Sequence, residues 1–158
     1  MCNVLVAYFS ATGNTEACAK KLAQAINADI FEIVPVTPYT AKDLNWQNAK
    51  SRSSLEMKDK NSRPQIAGLV EEMSKYDVIF VGFPIWWYVA PTIINTFLEQ
   101  YNLSEKTIVP FATSGSSGMG KTNEKLAPSC PDSRLMEGRR FALNTSAEEF
   151  ASWAADFI

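Results

Sequence analysis

Residues Val4 to Thr15 read VLVAYFSATGNT. The first half is an almost unbroken run of aliphatic, β-branched and aromatic residues, the pattern of a short strand covered on both faces. The second half, Ser10 to Thr15, carries three hydroxyls, one amide and one glycine, with no lysine or arginine. Helical spacing follows: Cys18, Leu22, Ala25 and Ile26 share one face, and Lys20, Lys21 and Gln24 the other. A strand that feeds a helix through a donor-rich loop opens an α/β unit. Its loop suits an anion, because unpaired N–H groups and the positive end of the helix dipole meet there.

The hydroxyls of Ser10, Thr12 and Thr15 and the amide of Asn14 add donors, and Gly13 lets the backbone turn closely around a guest. A nucleoside-triphosphate loop requires GxxxxGK[ST], and a dinucleotide fingerprint requires three spaced glycines; neither is present. A single phosphate monoester is the better guest, since neutral donors and the dipole satisfy it without a countercharge. A cap for the first helix is the bland alternative, as Ser, Thr and Asn all serve that role.

Val78 to Phe83 and Thr107 to Ala112 repeat the buried-strand pattern, and Ile30 to Val34 is a weaker copy. Helices are expected over Gln65 to Lys75, on the stripe Ile66, Leu69, Val70 and Met73, and from Pro91 to about Gln100. A C-terminal helix carries Phe150, Trp153, Ala154 and Phe157 behind a capping pair, Ser146 and Glu149. Arg134 to Glu137 is expected as a short last strand near an edge. Pro110 removes a ladder donor, so a bulge or an early end of pairing is expected there. The connection from Pro35 to Pro64 exceeds the usual few residues, and Thr40 to Met57 within it is expected to form a helix.

Alternating strands and helices in 158 residues are too few for a barrel of eight units. They indicate an open parallel sheet wrapped by helices on both faces, read as one domain over residues 1–158. Hydrophobic residues make up 46% and charged residues 20%, which is globular usage, and the net charge of -2 argues against a nucleic-acid surface. No apolar stretch approaches a membrane span. With no histidine and three cysteines lacking CxxC spacing, a Cys/His metal site and a histidine-based triad are excluded. Cys2, Cys18 and Cys130 are read as reduced, in a cytoplasmic protein.

Ligands in open parallel sheets bind beyond the carboxyl ends of the strands. Two further loops lie there. Phe83 to Pro91 reads FPIWWYVAP, and paired tryptophans followed by tyrosine at the mouth of a sheet would suit a flat apolar ring. Thr113 to Gly120 reads TSGSSGMG, with little side-chain bulk and many donors for a ring edge bearing carbonyls and nitrogens. Taken alone, each also fits a buried tryptophan pair or a Gly/Ser turn.

Through YFSATGNT, VGFPIWW and FATSGSSG the chain resembles the flavodoxins over nearly its whole length. The resemblance implies a three-layer αβα sandwich with a five-stranded parallel sheet of order 2-1-3-4-5 and flavin mononucleotide (FMN) as cofactor. It implies that Ser10, Thr12, Asn14 and Thr15 hold the flavin phosphate, with Gly13 shaping the turn. Pro84, Ile85, Trp86 and Trp87 would border the ring, Trp86 stacking on it, and Thr113, Ser114 and Gly115 would line its pyrimidine edge. The short-chain branch is the closer match. A phospho-receiver of the same strand order would need a carboxylate after the third strand and a lysine after the fourth, and neither is present.

The chain departs from the family in two ways. The fourth loop lacks a second aromatic, so the outer flavin face is either more open or covered by Trp87, Tyr88 or part of the Pro35 to Pro64 connection. A glycine often follows the stacking residue, and its peptide reorients on one-electron reduction. Trp87 stands there instead, and a bulky residue resists φ > 0 by about 1–2 kcal/mol. Two functions follow from the resemblance: first, a carrier moving electrons between redox partner proteins; second, a reductase taking hydride from NAD(P)H to a quinone or nitroaromatic. In either case the protein is expected as a monomer or weak dimer without nucleic-acid or membrane partners, and the flavin, not a side chain, carries the chemistry.

Overall fold

The computed structural model describes residues 3–114 and 118–158. Strand β1 (Val4–Tyr8) lies between β2 (Asp29–Glu32) and β5 (Val78–Pro84), and all three run parallel. Strand β6 (Thr107–Thr113) follows β5 in parallel register, Val78 facing Thr107 through to Pro84 facing Thr113. The edge is made in two pieces, β7 (Arg134–Leu135) and β8 (Arg139–Phe141), both parallel to β6. With β7 and β8 as one broken strand, the order is the 2-1-3-4-5 anticipated from the sequence.

The alternation of each strand divides the core in two. Leu5, Ala7, Phe9, Ile79, Val81 and Phe83 pack with Ile93, Ile94, Phe97 and Leu98 of α3 (Thr92–Glu99). Val6, Tyr8, Val78 and Phe80 pack on the other face. There they meet Cys18 and Leu22 of α1 (Asn14–Ile26) and Phe150 of α5 (Ala147–Ala154), the helix that follows the short α4 (Thr122–Leu126). Cys18 is therefore core, as the spacing predicts, and burial pushes its thiol pKa up. Fully burying a side chain such as Leu22 or Phe80 stabilises by roughly 1.5–3 kcal/mol, so these two sets fix the helices on opposite faces. Ser146 accepts from the Glu149 N–H at 3.1 Å, the cap expected for α5.

Four expectations are corrected. The Gln65 to Lys75 helix is absent: Ile66–Ala67 form β4, antiparallel to β3 (Val34–Pro35), and Gly68 at φ 83 breaks the helical path. Only a 3-10 turn at Met73–Lys75 remains, and Leu69 of the apparent stripe is exposed. The Thr40 to Met57 helix shrinks to α2 (Arg52–Lys58). Before it, Thr40 and Asp43 exchange side-chain-to-backbone bonds, and Asn45 and Asn48 accept from the N–H groups of Gln47 and Lys50. Such local bonds hold turns in competition with a helix.

Pro110 neither bulges nor ends its strand, since β6 continues to Thr113. The interruption falls on its neighbour instead. Ile108 pairs with Leu135 and Phe111 with Arg139, so the edge strand spends one more residue than β6 between those pairs. The missing donor thus meets a gap. The last strand, expected to stop at Glu137, resumes after it as β8, and this brings Arg140 level with Ala112.

Candidate functional site

The carboxyl ends of β1, β5 and β6 converge on two adjoining clefts. One, of about 400 Å³, is polar and lined by Thr12, Asn14, Thr15, Thr113, Ser114 and Arg140 among others. The second, about 550 Å³, is lined by Ile85, Trp86, Trp87 and Tyr88 on one side and Leu44, Trp46 and Ser53 on the other. Thr12 and Pro84 border both. A ligand with a polar tail and a flat apolar head has one continuous path.

The first loop is set by local bonding. Gly13 caps α1 at φ 96, in the left-handed region, and its N–H donates to Ser10 Oγ at 3.0 Å. A β-carbon on Gly13 would meet nothing within 4 Å, so the glycine is there for conformation rather than space. Thr12 and Asn14 are exposed, whereas Thr15 is buried and shares a hydrogen bond of 2.8 Å with Thr113 Oγ1 at the end of β6. That bond ties the first loop to the fourth. Of the predicted set, Ser10, Thr12 and Gly13 lie in the loop and Asn14 and Thr15 open α1; Thr12, Asn14 and Thr15 line the polar cleft with Thr113 and Ser114, and Ser10 and Gly13 stand outside that lining. Gly115 lies outside the described residues.

Arg140 was missed. Its Nε donates to Ser114 Oγ at 3.2 Å and its Nη2 to the Ser114 carbonyl at 2.9 Å. The first loop is neutral, and β8 adds a guanidinium to the lining of the same cleft. The signal was weak in the sequence: two arginines after Glu137 and Gly138 read as surface until pairing with β6 is known.

In the aromatic cleft Trp86 is held from behind. Phe9 and Tyr39 meet it edge-on, with ring centroids 5.8 and 5.4 Å away. Arg52 lies over the Tyr39 ring at 3.8 Å, and the Tyr39 hydroxyl donates to Glu56 Oε1 at 2.5 Å. Arg52 in turn donates to the carbonyl of Thr37 at 2.7 Å and pairs with Glu56 at 3.0 Å. Burial, with Glu56 beside it, pushes the Tyr39 phenol far above its ordinary pKa, so it stays a neutral donor. This knot fastens the long connection against Trp86, and Leu44, Trp46 and Ser53 become the far wall of the cleft. The sequence reading allowed that role to part of the connection but did not single out those residues.

Trp86 and Val89 exchange backbone bonds of 2.9 and 3.2 Å across Trp87 and Tyr88. Both central residues have positive φ, 50 and 68, the signature of a type I′ turn that normally takes Asn-Gly. Two aromatic residues here cost about 1–2 kcal/mol each, strain of the kind stored at ligand clamps. The resistance to φ > 0 expected at Trp87 is therefore already overcome in this structure. The turn rests on Gly120, where a β-carbon would come within 2.3 Å of the Tyr88 carbonyl oxygen. Trp46 and Tyr88, each 68% exposed, and Trp87, 44% exposed, rim the mouth.

Ser53 completes the wall. It is 2% exposed, and its Oγ has no hydrogen-bond partner within the protein. A buried hydroxyl in that state calls for an explanation, and it lies in the lining of the aromatic cleft. Among the described residues no cluster of His, Cys, Asp or Glu is arranged to hold a metal ion, and no helix is long and apolar enough to cross a membrane.

A doubly covered parallel sheet with two adjoining clefts above its carboxyl edge defines an open α/β fold whose clefts lie where such folds take ligands. The family model described as flavodoxin matches residues 3–157, and the chain belongs to that family. A Bacteroides eggerthii protein of known crystal structure is 46% identical, with TM-score 0.93, covering 99% of this chain and 98% of its own. One from Bacteroides uniformis is 44% identical, with TM-score 0.91 and 98% of each chain covered. The fold extends to a Lactobacillus acidophilus flavoprotein solved with FMN, at 20% identity and TM-score 0.75, covering 98% of this chain and 99% of that one. No curated protein matches this chain.

Proposed function

We propose that the protein binds FMN and moves electrons between a cellular reductase and an acceptor. The observation that carries this reading is the union of the two clefts across Thr12 and Pro84. FMN has the matching shape, a phosphorylated polar tail on a flat tricyclic head. Ser10, Thr12, Asn14 and Thr15 would hold the phosphate, aided by the N-terminus of α1 and by the guanidinium of Arg140. Trp86 and Trp87 would border the ring, with Pro84 and Ile85 at its inner edge, and Thr113 and Ser114 would face its polar side. The orphaned Ser53 hydroxyl fits the same guest, since the ring carries carbonyl and nitrogen acceptors. When bound, FMN supplies reversible uptake of electrons, and the chain supplies binding, orientation and exclusion of water.

A second reading is favoured by one feature. The aromatic cleft has a far wall, Leu44, Trp46 and Ser53, and a rim of exposed aromatic side chains. A walled cleft suits a small substrate, as in an NAD(P)H-dependent reductase of quinones or nitroaromatics, better than the open edge a protein partner needs. The test is to titrate purified protein with FMN and then add NADH or NADPH alone. Failure to take up FMN at micromolar levels would overturn the proposal. Bleaching of the flavin without a second protein would select the reductase, and bleaching only after a separate reductase is added would select the carrier.

A further inference from the structure

A third cleft lies beside the aromatic one. The chain passes directly from one to the other: Trp87 and Tyr88 line the aromatic cleft, and Val89 and Ala90 line its neighbour. This neighbour encloses about 360 Å³, within the range of small-ligand sites. Its floor includes Thr92, the first residue of α3, a helix whose start has no side-chain cap. The positive end of the helix dipole lies there, while the Ile94 N–H is bonded to the Pro91 carbonyl at 3.0 Å.

Thr92 supplies an independent pointer. It is 8% exposed, yet its Oγ1 has no hydrogen-bond partner within the protein. An unpartnered hydroxyl so deeply buried costs about 1–3 kcal/mol, and a ligand acceptor would remove that cost. Lys60 and Lys125 stand at the walls, both exposed, and no ion pair among the described residues engages either. Arg63, also in the lining, is already committed to Glu99, with Nε to Oε1 at 2.9 Å and Nη2 to Oε2 at 3.0 Å. The remaining charge is the carboxylate of Glu124.

We infer that this cleft receives the diphosphate and a ribose of a dinucleotide whose ring end reaches the aromatic cleft. The inference rests on the reductase reading and deepens it. Two uncommitted ammonium groups and a helix N-terminus match the two negative charges of a diphosphate diester. Glu124 adds a carboxylate that can accept from ribose hydroxyls, groups that a nucleotide carries and a bare inorganic anion lacks.

The experiment uses FMN-loaded protein and calorimetric titration with oxidised NAD and NADP, with ADP-ribose and with inorganic pyrophosphate. The dinucleotides and ADP-ribose are expected to bind, and pyrophosphate to bind at least tenfold more weakly. The K60A/K125A double variant is expected to lose about tenfold in affinity for all three nucleotides, a change of about 1.4 kcal/mol. Thr92→Val is expected to lose several-fold while its melting temperature holds or rises, an outcome that a purely structural hydroxyl would not give. FMN affinity should stay within about twofold in every variant. Absence of nucleotide binding, pyrophosphate binding as tight as ADP-ribose, or nucleotide affinities unmoved by these substitutions would overturn the inference. Protein that takes no FMN would instead sink the cofactor reading, and the ADP-ribose arm would still decide this site.

Discussion

Gly120→Ala tests whether the strained aromatic turn is held in place from below. Two costs can be separated. At φ 53 an alanine pays the left-handed penalty of about 1–2 kcal/mol. Its β-carbon would also lie 2.3 Å from the Tyr88 carbonyl oxygen and 3.1 Å from the Tyr88 β-carbon, so something must move by roughly 1 Å to reach ordinary contact. The exposed turn yields more readily than the core, which displaces Trp87 and Tyr88 from the cleft. Gly118, where an added β-carbon meets nothing within 4 Å, is the control. With about 2–4 °C per kcal/mol for a chain of this size, Gly120→Ala should melt about 3–8 °C lower than wild type. FMN affinity should fall by about tenfold, and Gly118→Ala should change neither quantity. Wild-type melting and FMN affinity in Gly120→Ala would show that the turn is not held by Gly120, as would an equal effect at Gly118.

Three further outcomes are expected. Thr15→Val strands the buried Thr113 hydroxyl and should destabilise by about 1–3 kcal/mol, while the double variant Thr15→Val, Thr113→Val should recover much of that loss, since replacing both partners is close to neutral; urea unfolding of the three variants decides it. Ser53→Ala removes an orphaned buried hydroxyl, so FMN-free protein should be stabilised by about 1 kcal/mol while FMN binding weakens several-fold, read by thermal melts and fluorescence titration. Burial and the hydrogen bond to Asp29 push the Tyr76 phenol up to about 12 from an ordinary 10.0. Between those values the folded state binds more protons than the unfolded state, so stability contributed below pH 10 is lost as pH rises toward about 12. Tyr76→Phe should flatten that alkaline fall in urea titrations, and an unchanged slope would count against it.

Much of the fold was legible because its signals are local. Val4 to Phe9 and Val78 to Phe83 are apolar at successive positions, which only a strand buried on both faces tolerates, and SATGNT between strand and helix marks the ligand end of the sheet. Other readings failed where local patterns compete. The stripe Ile66, Leu69, Val70 and Met73 is helical in spacing, but Gly68 at φ 83 and pairing with Val34 and Pro35 override it. Pro110 announced a defect, and the defect appeared on the neighbouring strand, because the sheet loses nothing when the gap and the missing donor coincide.

The layered α/β plan, the donor-rich loop at Ser10 to Thr15 and the aromatic residues of the neighbouring loop were all readable from the sequence, because neighbours along the chain set them. Tertiary structure alone decided which residues close the site. Arg140 reaches the polar cleft through β8 pairing with β6, Ser53 and Trp46 reach the aromatic cleft through the Tyr39, Arg52 and Glu56 knot, and Thr15 meets Thr113 across 98 positions of chain. Contacts of that span depend on register and on the path of a long connection, which residue spacing cannot encode.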